Sequence, residues 1–260
     1  MVSFDLDMTL LDHKTWKIPD SAMEAIERMR GRHRIVLATG RDMDNRYSEG
    51  LKELIRPDAI VHLNGTKVTV GEQVIFEHFF SKETLRELLT YCDAAGYGMG
   101  ITVGWEDFYT HPEVISAMDV ARWGRSDRDF KDWRKLLEMP VRTLAFVGNE
   151  EQAKDLERRF PQLNFPMFAG KTGADVIEKG MSKAEGLIRL SRYFGEKEDL
   201  SQLIAFGDSM NDYEIIRFVG TGCAMANGRP ALQAVADRVV GCNVDHAVQT
   251  EMRRVLESLR

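Results

Sequence analysis

The sequence lacks the long apolar segments of a membrane protein. Its apolar runs are far shorter than the roughly 20 residues that a bilayer-spanning helix needs. The first residues contain neither a basic region nor a long apolar region, so we expect no signal peptide. Internal repeats and linkers rich in Pro, Gly or Ser are absent too. We therefore expect a globular protein that has no membrane partner.

Cysteine is scarce, and no pair of cysteines is closely spaced. Cys92, Cys223 and Cys242 form no C-x-x-C motif, and a sparse, odd set is typical of a reducing cytoplasm. The six histidines are scattered, with no H-E-x-x-H motif and no spacing typical of zinc ligands. The sequence therefore predicts a cytoplasmic protein without a disulfide framework or a zinc site.

An excess of positive charge is also missing. The chain has 35 Lys and Arg against 41 Asp and Glu, a formal net charge of −6 at pH 7. An acidic balance of this kind argues against a nucleic-acid partner. At 260 residues the chain is long enough for one large domain or two modest ones. We expect a monomer or a weak homodimer.

Short apolar runs alternate with segments of helical periodicity. The runs predicted as buried strands are 2–6, 35–38, 59–63, 203–206 and 222–226. A capping box at Ser21-x-x-Glu24 predicts the start of the first helix. This alternation indicates an α/β fold with a Rossmann-like, doubly wound parallel sheet. Ligands of such sheets bind beyond the carboxyl ends of the strands, where this sequence places polar clusters.

This alternation of single strands and helices does not continue through the middle of the chain. Between residues 80 and 179, helices are interleaved with short strands, predicted at 99–103, 107–110, 141–147, 165–168 and 174–177. We interpret 80–179 as an inserted α+β cap domain. Residues 1–79 and 180–260 would then form the catalytic core together.

Asp5 and Asp7 follow the first predicted strand. Two carboxylates two residues apart project from one side of a strand, or from a turn that leaves the sheet. Close anions repel unless a cation or a proton neutralises them, and oxygen ligands favour a hard cation such as Mg²⁺. A D-x-D pair alone is weak evidence, because a solvated acidic loop has the same appearance.

Three further elements follow predicted strands or begin a helix. Gly207-Asp208-Ser209-Met210-Asn211-Asp212 brings carboxylates to the end of a second strand and could complete a metal site. Thr39-Gly40-Arg41 offers a hydroxyl group and free backbone amides to a phosphoryl oxygen, although a plain strand–helix turn looks similar. Lys183 begins a helix, where a lysine usually contacts only solvent.

Together these elements resemble the haloacid dehalogenase superfamily of phosphotransferases, and most closely its Cof-like branch. The resemblance covers the whole chain, including an inserted α/β cap. It rests on four elements in this order: Asp5-x-Asp7-x-Thr9, Thr39, Lys183 and Gly207-Asp208-x-x-Asn211-Asp212. The Asn64-Gly65 and Asn227-Gly228 pairs also look like that branch.

The resemblance implies a catalytic role for four residues. Asp5 would be the nucleophile that forms an aspartyl-phosphate, ionised at neutral pH if its pKa stays near ~3.9. Asp7 would protonate the leaving group and later accept a proton from water, a task that needs a raised pKa. Thr39 and Lys183 would bind phosphoryl oxygens, and Lys183 would also hold Asp5.

The same resemblance implies a Mg²⁺ site and a set of substrate contacts. The metal would be bound by Asp5, by the backbone carbonyl of Asp7 and by Asp208, with Asp212 orienting its waters. The remaining residues expected to contact substrate are Gly40, Arg41, Asn64 and Asn211. In the cap, the candidate specificity residues are Trp105, His111, Arg122, Trp123 and Arg125, each of which could instead be cap core or solvated surface.

Met8 departs from the family pattern, which most often has glycine after the second aspartate; we expect altered packing there without loss of chemistry.

The predicted function is Mg²⁺-dependent hydrolysis of a small phosphorylated metabolite, such as a sugar phosphate. One alternative is a phosphosugar mutase or other phosphotransferase that returns the phosphoryl group to a hydroxyl. The other is a non-catalytic sensor of phosphorylated ligands, which has no reason to keep Asp7.

Overall fold

The computed structural model describes residues 1–45, 48, 50–168 and 171–258, and it divides into two compact units. The first unit contains residues 1–43, 48, 50–77 and 181–258. The second contains His78–Gly180, against the predicted 80–179, together with Asp44 and Asn45. Among the described residues, no helix combines the length and apolar character needed to cross a bilayer.

The strands and helices are numbered in chain order. The strands are β1 (Val2–Phe4), β2 (Ile35–Ala38), β3 (Ala59–His62), β4 (Lys67–Val70), β5 (Gln73–Glu77), β6 (Gly98–Val103), β7 (Glu106–Tyr109), β8 (Phe130–Lys131), β9 (Leu144–Val147), β10 (Leu163–Asn164), β11 (Gly173–Glu178), β12 (Ile204–Gly207), β13 (Thr221–Met225) and β14 (Arg238–Val240). The helices are α1 (Asp20–Met29), α2 (Leu51–Ile55), α3 (Lys82–Ala95), α4 (Pro112–Trp123), α5 (Glu150–Arg159), α6 (Lys183–Tyr193), α7 (Tyr213–Phe218), α8 (Pro230–Gln233) and α9 (Ala247–Ser258). Short 3₁₀ turns lie at Leu63–Gly65, Trp133–Glu138, Met210–Asp212 and Asn243–Asp245.

The first unit is built on a sheet with the strand order β14-β13-β12-β1-β2-β3-β4-β5. Neighbouring strands from β14 to β3 run parallel, whereas β4 and β5 form an antiparallel hairpin at one edge. The sheet order changes direction around β1, whose neighbours β12 and β2 come from distant parts of the chain. The predicted α/β class with a parallel-sheet core is confirmed.

Helices cover both faces of this sheet because its central strands are apolar on both sides. In β2, Ile35 and Leu37 pack with residues of α1 and α9, whereas Val36 and Ala38 pack with residues of α6 and α7. This burial explains why the strands were recognisable as continuous apolar runs.

The first helix does not begin with the predicted capping box. It begins at Asp20, with Pro19 as its N-cap residue and no side-chain cap, so Ser21 already lies inside the helix. The Ser21 hydroxyl group instead contacts Nδ1 of His246 beside α9.

The second unit has its own sheet, with the strand order β10-β11-β9-β6-β7-β8. It shares one apolar cluster with α3 and α5, including Leu88, Phe146 and Leu156. The strand predicted at 165–168 is wrong: the short strand β10 ends at Asn164, and Met167 forms only an isolated bridge with Ala174.

Candidate active site

Three sequence elements meet at the carboxyl edge of the first sheet. β1 ends at Phe4, which pairs with Leu37 of β2 and with Phe206 of β12. Asp5 therefore lies just beyond β1, and its backbone amide donates to the Phe206 carbonyl over 2.9 Å. Of the two placements that the sequence left open for the first acidic pair, the structure has the turn that leaves the sheet.

Lys183 joins two carboxylates inside this site. Its Nζ donates to Oδ1 of Asp5 and to Oδ1 of Asp212, both over 2.7 Å. The side chain is fully buried, so Lys183 does not have the solvated position that is usual for a lysine at a helix start. The Ser182 hydroxyl group accepts a hydrogen bond from the Glu185 amide and caps the helix that carries Lys183.

The carboxylates of Asp5, Asp208 and Asp212 form one buried cluster. Oxygen atoms of the three side chains lie within 4.8 Å of one another. Burial raises the pKa of Asp5 well above its ordinary value; Lys183 opposes this effect, whereas Asp212 and Asp208 add to it. Burial and the nearby Asp212 likewise raise the pKa of Asp208 to about 7. The expectation that Asp5 keeps an unperturbed pKa is therefore wrong for the cluster without a cation.

The negative charge of the cluster favours the binding of a cation. Burial alone would lower the pKa of Lys183, but Asp212 and Asp5 hold it above the ordinary lysine value, so the ammonium group stays charged. Three ionised carboxylates around one ammonium group would leave a net charge of −2 in a buried place. Such an all-oxygen set could bind a metal ion of the hard class.

Asp212 supports the cluster with both of its oxygens. Oδ1 accepts from Lys183, while Oδ2 accepts from the backbone amides of Asp208 and Ser209, both over 3.1 Å. A side chain at Gly207 would put its Cβ 2.5 Å from Cγ of Asp212, so only glycine allows this close approach. Asp208 is fixed in turn by Thr9, whose hydroxyl group donates to Oδ1 over 2.9 Å.

Thr39 lies at the end of β2 and is completely buried. Its Oγ1 accepts a hydrogen bond from the Arg41 amide over 3.0 Å, which leaves the hydroxyl proton available to an acceptor. Gly40 follows at the end of the strand and is partly exposed. This geometry suits the predicted contact between Thr39 and a phosphoryl oxygen.

Asn64 and Asn211 contact each other. Asn211 Nδ2 donates to Asn64 Oδ1 over 2.9 Å, and the Asn211 oxygen accepts from the Ser209 hydroxyl group. Asn64 is buried, and this hydrogen bond connects the turn after β3 with the loop that contains Asp208. At the neighbouring Gly65 (φ +93°), a Cβ would lie 2.0 Å from the Ser182 carbonyl oxygen. This close approach is the structural reason for glycine at position 65.

The side chain of Asp7 lies outside the carboxylate cluster and is bound by Arg41 and His13. Arg41 Nε donates to Oδ2 over 2.7 Å and Nη2 donates to Oδ1 over 2.6 Å. His13 Nε2 lies 2.5 Å from the same Oδ1. Burial would raise the pKa of Asp7, but the hydrogen bonds from His13 and Arg41 outweigh it and hold this pKa well below the usual range.

This direction is opposite to the raised pKa that the predicted acid–base role needs. His13 belongs to no sequence motif and was not predicted as a site residue. Its place in the loop after the first acidic pair was the one available signal.

Met8 adopts a left-handed backbone conformation, with φ of 62°. L-residues pay roughly 1–2 kcal/mol for this conformation, whereas glycine adopts it freely. The left-handed turn after Asp7 therefore explains why glycine is common at this position in the family that the sequence resembles. Asn227 supports the turn, since its Nδ2 donates to the Met8 carbonyl over 2.8 Å.

The candidate specificity residues of the second unit are mostly at its surface. Trp105 is 72% exposed and Trp123 is 50% exposed, so neither is buried in the core of this unit. Arg125 pairs with Asp127, and His111 contacts the Asp93 carbonyl and Glu113. The Arg122 guanidinium lies 5.1 Å from the Trp123 ring centre.

Comparisons with known proteins agree on one family. The model of the haloacid dehalogenase-like hydrolases matches residues 2–252. The chain is 26% identical to the 5-amino-6-(5-phospho-D-ribitylamino)uracil phosphatase YitU of Bacillus subtilis, over 95% of this chain and 94% of the relative. It is also 26% identical to an HMP-PP phosphatase of Klebsiella pneumoniae, over 90% and 86%. The solved structure of a HAD subclass IIB sugar phosphatase superposes with a TM-score of 0.85 at 24% identity and covers 98% of both chains.

Proposed function

The chain belongs to the haloacid dehalogenase-like hydrolase family, and we propose that it is a Mg²⁺-dependent phosphatase that cleaves a small phosphorylated metabolite through an aspartyl-phosphate at Asp5. The observation that carries this proposal is the buried contact of Lys183 with Asp5 and Asp212. A lysine held there fixes a nucleophilic carboxylate and offers positive charge to a phosphoryl group. Both curated relatives described above are named phosphatases, which favours transfer to water over transfer to a second hydroxyl group.

In the first step, Asp5 attacks phosphorus and the bond to the leaving oxygen breaks. Thr39 and Lys183 bind the other phosphoryl oxygens and offset the charge that develops on them. Asp7 gives a proton to the leaving oxygen. The products of this step are the free alcohol and an acyl phosphate on Asp5.

In the second step, water attacks the acyl phosphate. Asp7 accepts a proton from this water, the acyl phosphate bond breaks, and inorganic phosphate leaves with Asp5 restored as a carboxylate. The hydrogen bonds of Asp7 with Arg41 and His13 favour this proton-accepting form. The acid step requires Asp7 to take up a proton against them.

The residues of the carboxylate cluster fit a Mg²⁺ ion. Asp5, Asp208 and the Asp7 carbonyl would hold the ion, and Asp212 would orient its waters. Bound there, the ion supplies positive charge that reduces the repulsion between the carboxylate of Asp5 and a phosphate dianion. It would also lower the pKa of Asp5 and so keep the nucleophile ionised.

We assign substrate discrimination to the second unit, in the role of a cap that excludes water and contacts the leaving group. Its exposed Trp105 and Trp123 are the first candidates for that contact. The relatives include a sugar phosphatase, a 5-amino-6-(5-phospho-D-ribitylamino)uracil phosphatase and an HMP-PP phosphatase, and the substrate that we propose belongs to this range of small metabolites. The cytoplasmic location, like the monomeric or weakly dimeric state, stays a prediction.

The test is a phosphate-release assay without any acceptor, over sugar phosphates, nucleotides, pyridoxal phosphate and phosphorylated pyrimidines. We expect turnover with Mg²⁺, none with chelator, and none for Asp5→Asn, because an amide is a poor nucleophile. Asp20→Asn, which changes an exposed carboxylate at the start of α1, is the matched control and should keep wild-type turnover. Full activity in chelator, or near-normal turnover of Asp5→Asn, would refute the proposal.

A further inference from the structure

The carboxylate of Asp7 receives hydrogen bonds in an uneven way. Oδ1 is contacted by both Arg41 Nη2 and His13 Nε2, at 2.6 and 2.5 Å, whereas Oδ2 is contacted by Arg41 Nε alone among the described residues. A carboxylate oxygen accepts about two hydrogen bonds. Oδ1 is therefore saturated, and Oδ2 keeps one open acceptor position. Because a carboxylate can only accept, Nε2 is the ring nitrogen of His13 that carries the proton.

The side chain of Asp7 is partly accessible to solvent. About 29% of its side chain is exposed, compared with 7% for Asp5 and 2% for Asp212. The open acceptor position of Oδ2 is therefore the place where Asp7 can exchange a proton with a leaving group or with water.

The loop around His13 is built to hold the imidazole in place. The ring stacks on Trp16, with 4.9 Å between ring centres and 19° between planes. Asp12 fixes the turn, because its Oδ1 accepts from the Lys14 amide over 2.9 Å. Trp16 adopts a left-handed conformation with φ of 54°, which is unfavourable for a bulky residue and persists only where the surroundings impose it. Strain of this kind next to a reacting group is a pointer to function.

We propose that His13 is a positioning residue for Asp7: by saturating Oδ1 it leaves Oδ2 as the single oxygen through which Asp7 transfers protons. This inference rests on the proposed function, in which Asp7 is the acid and base. His13 itself does not touch the reacting atoms in this scheme. Arg41, in the turn that follows Thr39, is the other residue that holds Asp7; we call His13 and Arg41 together the clamp on Asp7.

The proposal predicts a defect in proton transfer without a defect in binding. In His13→Ala, Oδ1 becomes an alternative proton site and the carboxylate loses its fixed orientation. We expect kcat/KM, which is set by the formation of the aspartyl-phosphate, to fall about tenfold for substrates with poor leaving groups, a fraction of the 10²–10⁴ that general acid–base catalysis contributes. KM should not rise, and kcat/KM for substrates with good leaving groups should fall little. His13→Gln, whose amide can donate to Oδ1, should recover part of the rate.

The decisive experiment is a double-mutant cycle with Asp7→Asn, in which kcat/KM is measured over phosphate esters of graded leaving-group pKa. In the wild-type background His13→Ala should steepen the dependence on the leaving group, and in the Asp7→Asn background it should have no further effect. Lys14→Ala, in the same turn but without a side-chain contact to Asp7 among the described residues, is the matched control and should keep wild-type kinetics. If His13→Ala fails to fold, His13→Asn, which is too short to reach Asp7, replaces it in the cycle.

Each outcome has a separate meaning. Equal losses from His13→Ala in both backgrounds, or a raised KM with an unchanged kcat, would overturn the proposal and indicate a structural or substrate-binding role. If Asp7→Asn alone leaves the leaving-group dependence unchanged, the acid–base assignment in the proposed function fails instead. A steep dependence in Asp7→Asn with a wild-type dependence in His13→Ala overturns only the inference about His13.

Discussion

Replacing Asp208 with asparagine should stabilise the metal-free protein at neutral and alkaline pH. Asp208 lies in the buried cluster with Asp5 and Asp212, where burial raises its pKa to about 7 from an ordinary value of 3.8. An asparagine keeps the oxygen that accepts from Thr9 and removes the negative charge. The substitution therefore isolates the electrostatic strain of the cluster.

The sign and the size of the effect follow from the raised pKa. A carboxyl group whose pKa is higher in the folded state than in the unfolded state lowers the free energy of unfolding as the pH rises above its unfolded-state pKa, and this loss is complete above its folded-state pKa. The wild-type protein should be free of this penalty below about pH 4 and should lose stability as the pH rises to about 7. A rise from 3.8 to about 7 corresponds to at most about 4 kcal/mol, and sharing of protons with Asp5 reduces the expected value to about 2–4 kcal/mol.

The assay is urea unfolding in chelator at several pH values between 4 and 8, on wild type, Asp208→Asn and the control Asp127→Asn. The control removes an exposed carboxylate and should follow the wild type at every pH. Asp208→Asn should match the wild type near pH 4 and become progressively more stable above it. Added Mg²⁺ should stabilise the wild type more than the variant. A stability difference that does not change with pH would refute the reasoning.

Two further predictions concern backbone positions near the site. Gly65→Ala should destabilise the protein by roughly 2–4 kcal/mol and reduce turnover, because its Cβ would collide with the Ser182 carbonyl oxygen next to Lys183. Urea unfolding and the phosphate-release assay test this prediction, and wild-type values in both would contradict it. Met8→Gly should stabilise the protein by about 0.5–1 kcal/mol, since relief of the left-handed strain exceeds the extra entropy that glycine loses on folding; a loss of stability in urea unfolding would show that the Met8 side chain contributes more by packing.

The sequence predicted the parts of the molecule that depend on local pattern. Strands buried on both faces are readable as apolar runs, and their carboxyl ends carry the polar motifs, so the meeting of Asp5, Thr39 and Asp208 could be predicted. The family resemblance, which the match over residues 2–252 confirms, added the buried partner Lys183. The sequence pattern could not predict that the Lys183 side chain is fully buried, because a lysine at a helix start is usually solvated.

The errors share a physical cause, which is that tertiary contacts override local signals. Ser21 has the spacing of an N-cap residue, but the N-cap residue is Pro19 and the helix starts at Asp20, two residues earlier than predicted. The clamp on Asp7 joins His13 and Arg41, which are distant in sequence and belong to no common motif. The direction of the pKa of Asp7 depends on that clamp, so no sequence pattern could predict it.

The most direct measurement of the central claim is the capture of the phosphorylated enzyme. Asp7→Asn should form the intermediate from a substrate with a good leaving group but hydrolyse it slowly, because no base activates the water. After rapid quenching with Mg²⁺ present, borohydride reduction should convert the phosphorylated aspartate to homoserine, which mass spectrometry can locate in the sequence. Homoserine at position 5, and its absence in the Asp5→Asn, Asp7→Asn double variant, is the predicted result. Homoserine at Asp208 or at another acidic residue, or turnover without any covalent intermediate, would contradict the assignment of Asp5 as the nucleophile.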